Sequence, residues 1–126
     1  MKTYFSLLAL LLLPLLSVAQ EPIKIAFVGN SITQGPGREN PGSFPLQVGQ
    51  IHKNAYEVEN FCVNGRTLLK KGDFPYWNEP QFQQVKEYHP DVVLIKLGTN
   101  DSKPQNWAHI TEFVQDYLDL IAEFRD

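Results

Sequence analysis

The hydrophobic residues of this chain fall into short runs and stripes, separated by polar segments rich in helix and strand breakers. Residues 23–28 (IKIAFV) form an apolar run closed by Gly29, the pattern of a buried strand. A loop with Gly35-Pro36-Gly37 and Pro41-Gly42 follows. Ser43 then stands as a cap before Phe44, Val48 and Ile51, spaced four and three residues apart; Pro45 suits a first turn, while Gly49 weakens the helix. Residues 56–63 (YEVENFCV) read as a second strand, ended by an Asn64-Gly65 turn. After a polar and aromatic loop at 70–77, Asn78 and Gln81 form a capping pair for a helix through Phe82, Val85 and Lys86. That helix stops near His89, because Pro90 cannot continue it. Residues 91–97 (DVVLIKL) make the strongest strand, again closing on a glycine, Gly98. Ile110, Phe113, Tyr117, Leu120, Ile121 and Phe124 form the stripe of an amphipathic helix.

Strand, helix, strand, helix, strand, helix predicts an α/β fold. The expected form is a three-layer, doubly wound parallel sheet with helices on both faces and right-handed crossovers. The unbroken apolar runs of the first and third strands predict burial on both sides.

The first 19 residues stand apart from this alternation. Lys2 gives a positive start, residues 5–16 are almost wholly apolar, and Ser17-Val18-Ala19 puts small residues where a leader is cut. That is a secretory signal peptide cleaved after Ala19, which leaves residues 20–126 as one small exported domain, secreted or periplasmic. The run is about a dozen residues and carries Pro14, whereas a membrane span needs roughly 20. No span is therefore expected in the mature chain, and no cysteine sits at the cleavage point for lipid attachment.

Without Lys2, ten basic residues face fourteen acidic ones, and no basic run appears, which argues against nucleic acid or anionic lipid as a partner. A single cysteine, Cys62, excludes an internal disulfide. No pattern specifies an oligomeric state.

Chemistry concentrates at the strand ends. In an open parallel sheet, ligands bind beyond the carboxyl ends of the strands. Here those ends carry Gly29-Asn30-Ser31, Asn64-Gly65-Arg66-Thr67 and Gly98-Thr99-Asn100-Asp101. Together they offer a hydroxyl, a glycine N–H and a side-chain amide, the set that acyl transfer needs. Each turn also has a bland reading: Ser31 as a helix cap, Asn64-Gly65 as a plain turn, Gly98-Thr99-Asn100 as a loop start. Gly29-x-Ser31 lacks the second glycine of the α/β-hydrolase elbow, Gly35-x-Gly37 lacks the third glycine of a dinucleotide loop, and no Gly-Lys-Ser/Thr exists. Asn100-Asp101-Ser102 formally matches a glycosylation sequon.

Taken together, residues 24–37 (KIAFVGNSITQGPG), 60–69 (NFCVNGRTLL) and 92–101 (VVLIKLGTND) resemble, in order, three blocks of the SGNH (GDSL-like) hydrolase family. The resemblance implies a flavodoxin-like fold with Ser31 as nucleophile and the Gly65 N–H and Asn100 amide as oxyanion donors. It further implies a secreted serine esterase that cleaves short acyl esters, O-acetyl above all, on a small-molecule or carbohydrate substrate. Neither a metal nor an organic cofactor is implied. Residues 67–107 resemble the sialate O-acetylesterase-like branch of bacterial carbohydrate esterases.

Three departures stand out. Asn30 replaces the usual aspartate before the serine, and Cys62 occupies a position where many relatives carry glycine. The family's Asp-x-x-His, which supplies and orients the base, is absent from the chain. His52 and His89 fall at predicted helix ends, and His109 lies nearest the Asn100 turn without an orienting partner in sequence. The expectation is therefore an N-terminal portion of the domain, with its C-terminal strands missing and little turnover by itself. Two other readings stay open: a lipid- or thioester-directed hydrolase on the same scaffold, and a non-catalytic flavodoxin-like binding module. The mixture of Lys70, Lys71, Asp73 and aromatics in the 70–77 loop favours a polar, flat ligand over an acyl chain.

Overall fold

The computed structural model describes residues 20–125; the leader read at 1–19 lies outside them. In chain order the elements are β1 (Ile23–Gly29), α1 (Ser31–Gln34), α2 (Phe44–Ile51), β2 (Tyr56–Asn60), α3 (Pro80–Tyr88), β3 (Val92–Lys96), α4 (Pro104–Trp107) and α5 (Phe113–Glu123). Single 3₁₀ turns occupy Tyr76–Asn78, Asn100–Ser102 and Ile110–Glu112. The sheet has the order β2-β1-β3 with both pairings parallel, so Ile25 lies opposite Val58 on one side and Val92 on the other. All three carboxyl ends therefore share one rim.

Burial on both sides holds for β1, whose residues from Ile25 to Gly29 are buried. Alternate side chains diverge as a pleated strand requires. Ala26 and Val28 pack with Phe61, Tyr76 and Val85, and Phe82 and Phe124 close that layer, with α3 and α5 on this face. Ile25 and Phe27 join Cys62 on the opposite face, where the Phe44 ring of α2 meets Phe27 edge-on at 5.7 Å. The result is the expected three-layer α/β arrangement.

The third strand departs from expectation. Val93 and Ile95 pack into the α3–α5 layer, but Val92 and Leu94 are 40 % and 45 % exposed. The reason is geometric: α2 lies over β2 and α1 beside β1, which leaves the outer face of β3 uncovered among the described residues. The other differences are local. Helix α3 is preceded by Glu79 rather than Asn78, has Pro80 at its first position and makes no side-chain cap. Regular β2 ends at Asn60, where the Asn60 side chain takes the Cys62 N–H, yet Phe61 N–H and Val63 N–H still donate to Phe27 and Gly29 at 2.9 Å. The last stripe opens with a 3₁₀ turn before α5 begins at Phe113. Among the described residues, no helix is long and apolar enough to cross a membrane.

Candidate active site

Ser31 is the first residue of α1, a single helical turn. Its neighbour provides the cap: Asn30, in extended conformation, accepts the Ile32 N–H through its side-chain oxygen at 3.1 Å. An aspartate would do the same, so Asn30 retains the structural service of the residue it replaces. Ser31 itself is exposed, and its hydroxyl has no hydrogen-bond partner among the described residues. The helix-cap reading of Ser31 thus passes to Asn30. A Cβ at Gly29 would stand 3.0 Å from the Lys96 carbonyl and 3.2 Å from the Cys62 sulfur. A side chain here would have to push these neighbours apart by a few tenths of an ångström.

The second turn is drawn to the same rim by the Val63-to-Gly29 bond, which sets Asn64-Gly65 beside the end of β1. Gly65 has φ +78°, a left-handed conformation that favours glycine, and nothing lies within 4 Å of where its Cβ would be. Arg66 steadies this turn by donating to the Asn64 carbonyl at 2.9 Å and to Glu79 at 2.7 Å.

The third turn reaches back across the sheet. Asn100 donates from its side-chain amide to the Arg66 carbonyl at 3.0 Å, and Asn106 donates to the Asn100 carbonyl at 2.8 Å. Ser31, Gly65 and Asn100 therefore stand on three turns that meet at one rim, as the parallel order requires. An open groove of about 370 Å³ runs along the β1–β3 face, lined by Phe27, Ile32, Thr33, Phe44 and Leu94.

Sequence reasoning missed the polar framework beneath the rim. Buried Asp101 accepts the Leu68 and Leu69 N–H groups, buried Asp116 accepts the Lys70 N–H at 2.8 Å, and buried Asn106 accepts the Asp73 N–H at 2.8 Å. One signal was present: Asp116 stands three residues after Phe113 and four before Leu120, on the apolar stripe of α5. The charges of the 70–77 loop are also committed internally. Lys70 pairs with Asp119, Lys71 with Glu112, and Asp73 with Gln105 and Asn106, whose hydrogen bonds hold its carboxyl below the usual range. What the loop presents outward is the Phe74 ring, 57 % exposed, with the Arg66 guanidinium 5.6 Å from its centre.

The histidines separate by rim. His52 ends α2 and accepts the Ala55 and Tyr56 N–H groups ahead of β2, and His89 ends α3 ahead of β3. Both therefore sit at the rim opposite Ser31. His109 follows α4 on the Asn100 side, where its N–H donates to the Asn106 carbonyl. Cys62 is buried in packing contact, and burial pushes its thiol up to about 12, so it is no nucleophile at neutral pH. Among the described residues, no three His, Cys, Asp or Glu side chains are arranged to hold a metal ion.

Residues 27–126 match the GDSL-like lipase/acylhydrolase family, and the chain belongs to it. The chain is also similar to an acetylxylan esterase of Xylanibacter ruminicola, with 46 % identity over 108 residues. That match covers 84 % of this chain and 22 % of the relative, so the chain spans about a fifth of the relative's length. No solved structure matches it.

Proposed function

We propose that the full-length protein is an exported serine esterase that removes acetyl or similarly short acyl groups from a carbohydrate. The observation that carries this reading is the meeting of the Ser31, Gly65 and Asn100 turns at one rim, with the Ser31 hydroxyl free. The acetylxylan esterase relative supports both the acyl group and the carrier. Ser31 Oγ attacks the ester carbonyl as its proton passes to a base, and the carbonyl oxygen becomes an oxyanion. The N–H groups of Ser31 and Gly65 and the free amide hydrogen of Asn100 stabilise that charge. Collapse expels the sugar hydroxyl and leaves an acyl-serine, which water hydrolyses to the acid and free Ser31. The family's Asp-x-x-His does not occur in the chain, and His109, on the Asn100 side, has no orienting partner in sequence, so the base is left unassigned. Ser31→Ala should abolish turnover of an activated acetyl ester by the full-length protein; retained turnover would overturn the assignment. Export predicts a mature chain that begins at Gln20, read by N-terminal sequencing.

The apolar groove along the β1–β3 face favours a second reading, hydrolysis of longer acyl chains. A series of esters of increasing acyl length separates the two: specificity falling steeply beyond acetyl supports the first, and specificity rising with length supports the second.

A further inference from the structure

Asp101 is 1 % exposed, and both of its carboxylate oxygens are used: Oδ1 accepts the Leu69 N–H at 2.7 Å and Oδ2 the Leu68 N–H at 3.1 Å. The ion pairs among the described residues leave it out. A buried charge is costly unless hydrogen-bonded, so these two amides are what stabilise it. Consecutive amides of an extended chain point in opposite directions. When two of them converge on one carboxylate, the backbone forms an anion-holding concavity and loses its freedom to shift. The turn at 68–69 is thereby fixed to the segment that carries Asn100.

The same segment grips the chain a second time through Asn100 and the Arg66 carbonyl, immediately after Gly65. Gly65 has no side chain to pack, and nothing approaches its Cβ position within 4 Å, so its place depends on anchors on either side. We infer that Asp101 is a positioning residue for acyl transfer: its grip on Leu68 and Leu69 sets the Gly65 N–H and the Asn100 amide as one rigid pair of oxyanion donors. This rests on the reading that those two groups hold the oxyanion. An asparagine has two amide hydrogens. One is held on Arg66, which orients the other, so a displaced 65–69 segment disturbs both donors together.

The test is Asp101→Asn in the full-length protein, assayed on a short acetyl ester with activity expressed per folded molecule. The change leaves one acceptor oxygen and turns an NH2 group toward the other backbone N–H. kcat should fall about 10- to 100-fold, because misplacement of about an ångström carries such a cost, while KM stays within about twofold. Asp116→Ala is the control: it releases the Lys70 N–H and takes a carboxylate from beside the Lys70 ammonium, further along the loop, and should lower the melting temperature with kcat unchanged. If Asp101→Asn does not fold, Asp101→Glu keeps the charge and is read in the same way. Unchanged kcat in the folded variant, with only a lower melting temperature, would overturn the positioning role. Should Ser31→Ala also retain turnover, the acyl-transfer reading itself has failed; Ser31→Ala inactive with Asp101→Asn at full kcat removes only this inference.

Discussion

Asn100, in the turn beyond β3, hydrogen-bonds the carbonyl of Arg66, 34 residues earlier in the turn beyond β2. Because β1 lies between those strands, the bond crosses the rim above the end of the central strand, where Ser31 begins α1. It joins two turns that sequence alone could only align.

Asn100→Ala removes this bridge together with the proposed oxyanion donor. Loss of such a donor costs about 10²–10³ in kcat, and loss of the neutral hydrogen bond costs about 1 kcal/mol of stability. Asn100→Asp should be no better, since an ionised carboxylate can donate to neither the Arg66 carbonyl nor an oxyanion. Steady-state kinetics on a short acyl ester beside a denaturant melt resolves the two contributions. A variant with unimpaired kcat would remove Asn100 from the site.

Gly29→Ala forces a methyl against the Lys96 carbonyl, the Cys62 sulfur and Thr33. Two of the three contacts belong to the sheet and its buried core, so relief requires the strands to part. Overpacking of this kind costs about 1–3 kcal/mol. A urea midpoint equal to that of the parent would show that the neighbours yield freely.

Alkaline pH should weaken the fold through Cys62 and Tyr76. Burial pushes the Cys62 thiol up to about 12, and burial likewise raises the Tyr76 phenol, which is enclosed and donates to the Phe61 carbonyl. Both groups are neutral when protonated. The unfolded chain loses their protons from about pH 8.5 and about pH 10, while the folded chain keeps them. Below that range the two states bind equal protons; above it the unfolded state binds fewer, so stability declines as pH rises toward about 12. Denaturation midpoints at about pH 8 and about pH 10 check the sign. In parallel, a thiol reagent at about pH 8 should label Cys62 only after unfolding. Fast labelling of the native protein would contradict its burial.

The strands and the rim were legible in the sequence because both are written in local pattern. Apolar runs that close on Gly29 and Gly98 mark where strands stop, and parallel pairing does the rest. Of the Asp101, Asn106 and Asp116 framework only Asp116 left a trace, on the apolar stripe of α5, since a side-chain oxygen bound to backbone amides about 30 to 50 residues away leaves no pattern of its own. Two capping assignments moved for a related reason, while Ser43 did take the cap position of α2. Asn30 and Ser31 are both good caps by type, and the backbone's path decides which one is used. At α3 the path put Glu79 before Pro80, so Asn78 lost the position. The open outer face of β3 depends on how far α2 extends over the sheet, which no residue of β3 encodes.

Asn30, by capping α1, relieves Ser31 of any architectural duty. A side chain with nothing to hold up can be removed without the scaffold noticing. Ser31→Ala should therefore melt with the parent and differ from it in chemistry alone. Under the proposed function, such a variant would be an inert twin, suited to holding an intact ester long enough for its carrier to be seen.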